Sequence, residues 1–322
     1  MQTRRLGNSK LELTTVGLGT WAIGGSWQFG WGKQDFNDSF DAIKEARDAG
    51  INWIDTAPIY GCGESELAIG EVLKKLDCKP IVATKCGLVW NDKREKISRL
   101  DADSIVRECE ESLRRLQIET IDLYQVHWPQ PDEQIEEAWE AMAKLVEQGK
   151  VRYLGVSNFS TEQMDRVAKI HPIASAQPPY NLFRRDIEKE LTGYCKANGV
   201  GIVSYSPMQL GLLTGKFDAA RVKNLPEGDH RRNRPEFNEP QLSANIRLVE
   251  GLKKIAAADG KTVAQLAIAW VISNDAITAA IVGARRSGQI QETAAAGDYV
   301  LSDERKRQID ELVRQRNREL KG

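Results

Sequence analysis

No CxxC pair, no long apolar run and no excess of either charge occurs in this sequence of 322 residues. Five cysteines (Cys62, Cys78, Cys86, Cys109, Cys195) are scattered singly, which reads as reduced thiols and excludes a disulfide framework. The start, MQTRRLGNSKLELT, lacks an apolar signal core, and no later stretch reaches the roughly 20 apolar residues of a membrane span. Lys plus Arg numbers 45 against 46 Asp plus Glu, so no global field draws the chain to nucleic acid or anionic lipid. Of three histidines, His171 and His230 lack ligand spacing to any Cys, Asp or His cluster, and no metal site is expected. Hydrophobic residues make up 41% and charged residues 28%, enough apolar material for a large core and too much for disorder. A cytosolic protein acting on a small molecule is expected.

What is present is an alternation of two periods. Strand-sized runs recur at 14–19, 51–55, 80–85, 121–127, 152–157, 173–177, 201–206 and 278–283. Between them lie amphipathic stretches, such as DADSIVRECEESLRRL and TEQMDRVAKI, opened by Asp, Ser or Thr as N-caps. Strand and helix repeated in this way imply parallel strands with right-handed crossovers, and about eight of them is the count of a (β/α)8 TIM barrel. The rival is an open doubly wound sheet. It would carry a GxGxxG turn after its first strand, and GLGTWAIGG does not fit that pattern. Without a linker or a composition break, residues 1–322 read as a single domain. The N-terminal segment, with a turn at Gly7-Asn8-Ser9, suits a β-hairpin closing one end of the barrel. A long loop at 207–240 follows strand 7, a length that points to function or disorder.

In such a barrel the carboxyl ends of the strands converge on one site. The polar residues there are Thr20 and Trp21, Asp55, Lys85, His127, Ser157 and Asn158, Gln177, Tyr205 and Ser206, then Gly283 and Arg285, with Tyr60 just beyond the second strand. Asp55 and Lys85 could simply neutralise each other. Adding Tyr60 and His127 makes four convergent titratable groups, more than one salt bridge needs. A lysine ammonium beside Tyr60 would favour phenolate and ease proton donation. Asp55 would hold the lysine and His127 would orient a carbonyl oxygen. Such a site protonates an oxygen while something else attacks its carbon.

DTAPIYGCGESE with ATK and VHW is similar to the active-site signature of the aldo-keto reductases, in the branch of bacterial general-stress proteins and potassium-channel β subunits. GLGTW, LGVSNF, Gln177 with YN, YSPMQLGLLTGK and VGARRSGQIQE extend the resemblance over essentially the whole chain. It implies an NADPH-dependent reductase of aldehydes and ketones in which Asp55, Tyr60, Lys85 and His127 form the catalytic tetrad. By the same resemblance Ser157, Asn158 and Gln177 hold the nicotinamide carboxamide, and the ring stacks on Tyr205. Thr20 and Trp21 contact the cofactor from the first loop; Ser206, Pro207, Met208, Gln209 and Leu210, with Lys216, run along the pyrophosphate. Arg234, Gly283, Arg285, Gln289, Glu292 and Thr293 grip the adenosine and its 2′-phosphate, a group that suits the planar arginine fork. Thr293 stands where many relatives have Asn, Gln209 and Leu210 replace smaller residues, and either Arg285 or Arg286 could meet the phosphate.

Two other functions stay open: a Schiff-base lyase using Lys85, and an NADPH-binding regulatory subunit like the channel-associated members, disfavoured because no extra N-terminal segment precedes the barrel. Trp27, Phe29, Trp31 and Trp128 line a substrate pocket or pack the loop beside it. Cys62 and Cys86 flank the acid and the lysine and read as packing thiols. The tail from Ser302 reads as an amphipathic terminal helix. Neither substrate identity nor oligomeric state follows from these residues.

Overall fold

The computed structural model describes every residue except Ser26, Gln28, Phe29, Trp31, Lys33, Cys78, Gly228, Lys321 and Gly322. The expectations for Phe29, Trp31 and Cys78 therefore fall outside the described residues.

The chain opens with an antiparallel hairpin, β1 (Thr3–Arg5) and β2 (Glu12–Thr14). Eight strands then form a closed ring in which every paired neighbour is parallel: β3 (Val16–Gly19), β4 (Trp53–Asp55), β5 (Ile81–Cys86), β8 (Ile121–Val126), β9 (Val151–Ser157), β10 (Ser175–Gln177), β11 (Gly201–Ser204) and β12 (Ile277–Gly283), which returns to β3. Helices α1 (Phe36–Asp48), α2 (Glu64–Leu73), α3 (Ala102–Leu116), α4 (Ile135–Glu147), α5 (Thr161–Ala168) and α6 (Leu191–Asn198) connect successive strands. After β11 come α7 (Ala219–Lys223), α8 (Gln241–Ala258) and α9 (Val263–Ile272); α10 (Gln289–Ala294) and α11 (Asp303–Glu319) follow β12. This is the (β/α)8 barrel the alternation implies.

Local chemistry sets the boundaries. Asp101 caps α3 through the Ser104 N–H, and both α5 and α9 open on full capping boxes, Ser160 with Gln163 and Thr262 with Gln265. The stretch DIEKELTGYCKANG, 186–199, does not form one helix but a 3-10 turn at Asp186–Glu188 followed by α6, with Glu190 between them at φ −144°. A second hairpin, β6 (Leu88–Trp90) with β7 (Lys96–Ser98), follows β5 and has no counterpart in the sequence reading.

Two cores meet in the barrel wall. Outside, strand and helix side chains form the main apolar layer. Inside, Trp53, Ala83, Leu123, Val203, Ala279 and Ile281 pack against Leu6, Leu11 and Leu13 of the hairpin, which plugs the amino end as its sequence implies. The Trp53 indole donates to the Thr14 carbonyl at 2.9 Å. A Cβ at Gly17 would sit 2.0 Å from the Trp53 ring, so that ring requires the glycine. The long loop is folded rather than disordered: Leu212, Phe217, Leu225 and Phe237 bury one another, with Leu242 at the start of α8. No single helix among the described residues is long and apolar enough to cross a membrane.

Candidate active site

Strand alternation turns the inside of the barrel polar within two residues. Trp53 and Asp55 share a face of β4, as do Ala83 and Lys85 of β5 and Leu123 and Gln125 of β8. Lys85 is fully buried; its ammonium donates to Asp55 Oδ1 at 2.6 Å, to the Thr56 carbonyl at 2.8 Å and to the Tyr60 hydroxyl at 3.3 Å. The other Asp55 oxygen accepts from Gln177 Nε2 at 2.8 Å and Gln125 Nε2 at 3.3 Å. Tyr60 lies on the turn after β4, and the first loop is pressed so closely on it that a Cβ at Gly24 would be 2.6 Å from the Tyr60 carbonyl carbon. Thr20 hydrogen-bonds the Asp55 carbonyl at 3.1 Å and accepts from Ser65 at 2.9 Å.

His127, at the end of β8, meets the Tyr60 ring edge-on at 5.8 Å between centroids, and its Nδ1 is buried without a hydrogen-bond partner. Buried polar atoms are nearly always paired, so this nitrogen is poised for a group entering the site. Burial first, then the charges of Lys85 and Lys96, hold the imidazole well below its usual range, leaving it neutral at pH 7.

Burial raises the Tyr60 hydroxyl; Lys85 pulls it down, Asp55 pushes it up, and burial prevails. The ammonium thus acts in the direction expected from sequence without reversing the net shift. Burial works to lower Lys85, yet Asp55 and Tyr60 raise it above its ordinary value, so it stays an ammonium. A charged lysine withdrawn behind Tyr60 and Asp55 is a poor amine nucleophile, which argues against the Schiff-base reading.

These groups open on a cavity of about 1100 Å³. The residues given tetrad or cofactor roles from sequence reach its wall except Lys85, which lies behind it; Cys62 and Cys86 do not line it. Ser157 donates to the Gln177 carbonyl at 2.9 Å, and Asn158 donates to Ser157 Oγ at 3.0 Å and to the His127 carbonyl at 3.1 Å. The Tyr205 hydroxyl donates to Asn158 Oδ1 at 2.9 Å. Ser206, Pro207, Met208 and Leu210 line the next stretch, beside Arg234 and Gly283. Lys216 pairs with Glu292 at 3.2 Å. Arg285 is on the wall, its Nε donating to Gln34 at 3.0 Å, whereas Arg286 is not part of the lining. The Gln289 side-chain oxygen accepts from the Arg285 and Arg286 N–H groups at 2.8 and 3.1 Å. Thr293 spends its hydroxyl on the Gln289 carbonyl of its own helix.

Trp27 and Trp128 both line the cavity, Trp27 lying 6.3 Å from the Tyr60 ring. Leu88 and Lys96 of the unanticipated hairpin join them. Gln125 was overlooked too, although its position two residues before His127 on an inward face was a readable signal. His230, discounted as a ligand, packs on Trp21 at 5.4 Å between ring centroids.

A parallel barrel with a cavity at its carboxyl end, over a buried Lys-Asp pair set against a tyrosine and a neutral histidine, defines a class: a β/α-barrel oxidoreductase of carbonyls. The chain belongs to the aldo/keto reductase family, whose model matches residues 15–314. Members use nicotinamide cofactors on small carbonyl substrates. The chain is 39% identical to the aldo-keto reductase YhdN of Bacillus subtilis, over 97% of this chain and 94% of that one. It is 34% identical to the NADH-specific methylglyoxal reductase of Escherichia coli, over 92% and 94% respectively. Among solved structures, the glycerol dehydrogenase of Gluconobacter oxydans superimposes with a TM-score of 0.90 at 39% identity, covering 98% of this chain and 96% of that one.

Proposed function

We propose that the protein reduces aldehydes or ketones with NADPH, Tyr60 being the general acid. The observation that carries this reading is the arrangement of the Tyr60 hydroxyl 3.3 Å from the Lys85 ammonium, beside the unpaired buried nitrogen of His127. When bound, the dinucleotide supplies the hydride. Tyr60, kept protonated at neutral pH, gives its proton to the carbonyl oxygen, and the Lys85 ammonium stabilises the phenolate left behind. Asp55 keeps Lys85 charged and in place, while Gln125 and Gln177 satisfy the other carboxylate oxygen. Neutral His127 donates to the same carbonyl oxygen and fixes its orientation.

The lining fits a dinucleotide. Ser157, Asn158 and Gln177 would hold the carboxamide and Tyr205 the ring face. Trp21 and the Ser206–Leu210 loop would flank the pyrophosphate; Arg234, Arg285, Gln289 and Glu292 would take the adenosine end. Arg234 and Arg285, both lining the cavity, support a 2′-phosphate, hence NADPH over NADH, even though a relative's name specifies NADH. The free thiols Cys62, Cys86, Cys109 and Cys195 support a reducing compartment such as the cytosol, with the whole chain acting as one unit. Fluorescence titration with both cofactors, followed by a carbonyl panel, tests the reading. NADPH should bind at least about tenfold tighter, a difference of about 1.4 kcal/mol. Equal affinities would remove the 2′-phosphate assignment, and absence of turnover across the panel would remove the reductase.

A further inference from the structure

Three consecutive residues of the loop after β11 follow a left-handed course: Gln209, Leu210 and Gly211 have φ of +43°, +54° and +99°. Glycine adopts this readily, whereas Gln209 and Leu210 do so at a cost that persists only when the surroundings enforce it. The stretch from Ser206 to Gly211 forms one side of the cavity.

What enforces the course lies within the protein. Gln209 is buried, and its side chain serves the protein rather than the cavity. Its Oε1 accepts from Asn181 Nδ2 at 2.7 Å, and its Nε2 donates to Glu236 Oε1 at 2.7 Å. Asn181, fully buried, also donates to the Ser206 carbonyl at 2.9 Å, and its Oδ1 accepts from the Phe183 and Arg184 N–H groups at 2.9 and 3.1 Å. Glu236 stands two residues beyond Arg234, and its carbonyl accepts from Asn245 of α8 at 2.9 Å. Asn245 in turn accepts from Arg316 of α11 at 2.8 Å. The bonds therefore run from the loop after β10, through the strained turn, to the segment that carries Arg234 and on to two outer helices.

We infer that Asn181, Gln209 and Glu236 are positioning residues that hold the left-handed turn against the bound dinucleotide and so set its residence time. This rests on the cofactor reading above. Gln209 then acts through the backbone it fixes, and the resemblance-based expectation of a pyrophosphate contact is replaced by an indirect role.

The test measures NADPH release by stopped-flow fluorescence, equilibrium affinity by titration and Tm, using the full-length chain and its variants. Gln209→Ala removes one of the Asn181 amide's acceptors and the donor to Glu236 Oε1, and should speed release about tenfold, with an equal rise in Kd. Gln209→Gly discriminates, because glycine removes the backbone cost as well as the two bonds. If the side chain served only to offset that cost, this variant would release cofactor at the wild-type rate; under the inference it releases at least as fast as Gln209→Ala. Glu236→Gln keeps a carbonyl acceptor at the same place and should stay within about threefold of wild type. If Gln209→Ala does not fold, Glu236→Ala breaks the same bond from the other side and carries the same expectation. Wild-type residence in either Gln209→Ala or Gln209→Gly, or a drop in Tm with Kd unchanged, overturns the inference while leaving the reductase reading intact. A wild-type protein that binds neither NADPH nor NADH overturns both.

Discussion

The two ends of the barrel interior are built from the same strands and differ by two residues, about 7 Å of strand. At the amino end Trp53, Ala83 and Leu123 pack on a leucine-rich hairpin, and the indole nitrogen buried there has a partner. At the carboxyl end the same faces of the same strands present Asp55, Lys85 and Gln125, all buried and bonded to one another or to Gln177. The contrast teaches that a buried strand can hold charge where a complete set of partners arrives from other strands, and that the apolar end makes this affordable by fixing the ring. One end should therefore govern stability and the other chemistry.

The largest expected effect lies at the polar end. Tyr60→Phe should lower kcat by up to about 10⁴-fold while leaving dinucleotide affinity and Tm nearly unchanged, as read by steady-state kinetics and titration. Retained activity would remove Tyr60 from its role. The converse at the apolar end is Trp53→Ala, expected to cost about 4 kcal/mol in denaturant unfolding while the folded fraction keeps kcat within about twofold. A loss of kcat without loss of stability would break the division.

Glu108 sharpens the comparison because it is buried, accepting from the Gly87 N–H at 2.9 Å and the Ser104 hydroxyl at 3.0 Å. Burial raises its carboxyl from 4.5 to about 7. The folded state thus holds a proton that the unfolded chain releases. The associated stability is full below pH 4.5 and is lost as pH rises to about 7. Glu108→Gln should therefore gain about 3 kcal/mol relative to wild type between pH 4.5 and pH 8, measured as the pH dependence of their difference in unfolding free energy. A flat difference would show that Glu108 titrates alike in both states. The smallest effect is at the cavity rim: Arg285→Ala should reduce the preference for NADPH over NADH about tenfold and leave NADH affinity alone.

Much of this was readable before folding. The eight inner strands follow from the two periods, and the hairpin plug from leucines on either side of a Gly-Asn-Ser turn. The inward set at the strand ends follows from the geometry of a parallel barrel. The β6–β7 hairpin was not readable, because KCGLVWNDKREKISRL carries no turn glycine between its strands and seven of its sixteen residues are charged. The folded interior of the loop from 207 to 240 was missed for a related reason: Leu212, Phe217, Leu225 and Phe237 are too irregularly spaced to show a period.

By itself the sequence determined the periodicity and the closed architecture, since these depend on residue types repeated at short range, and it put forward Asp55, Tyr60, Lys85 and His127 as one convergent set. Only the tertiary structure decided that Lys85 sits behind the cavity wall, that Gln125 and Gln177 share one carboxylate oxygen, and that the Gln209 side chain bonds Asn181 and Glu236. Those partners lie 70 and 122 residues from Asp55, and 28 and 27 from Gln209. Hydrogen bonds of that span have no local signature, because they form only once the ring has closed and brought separate loops to one end.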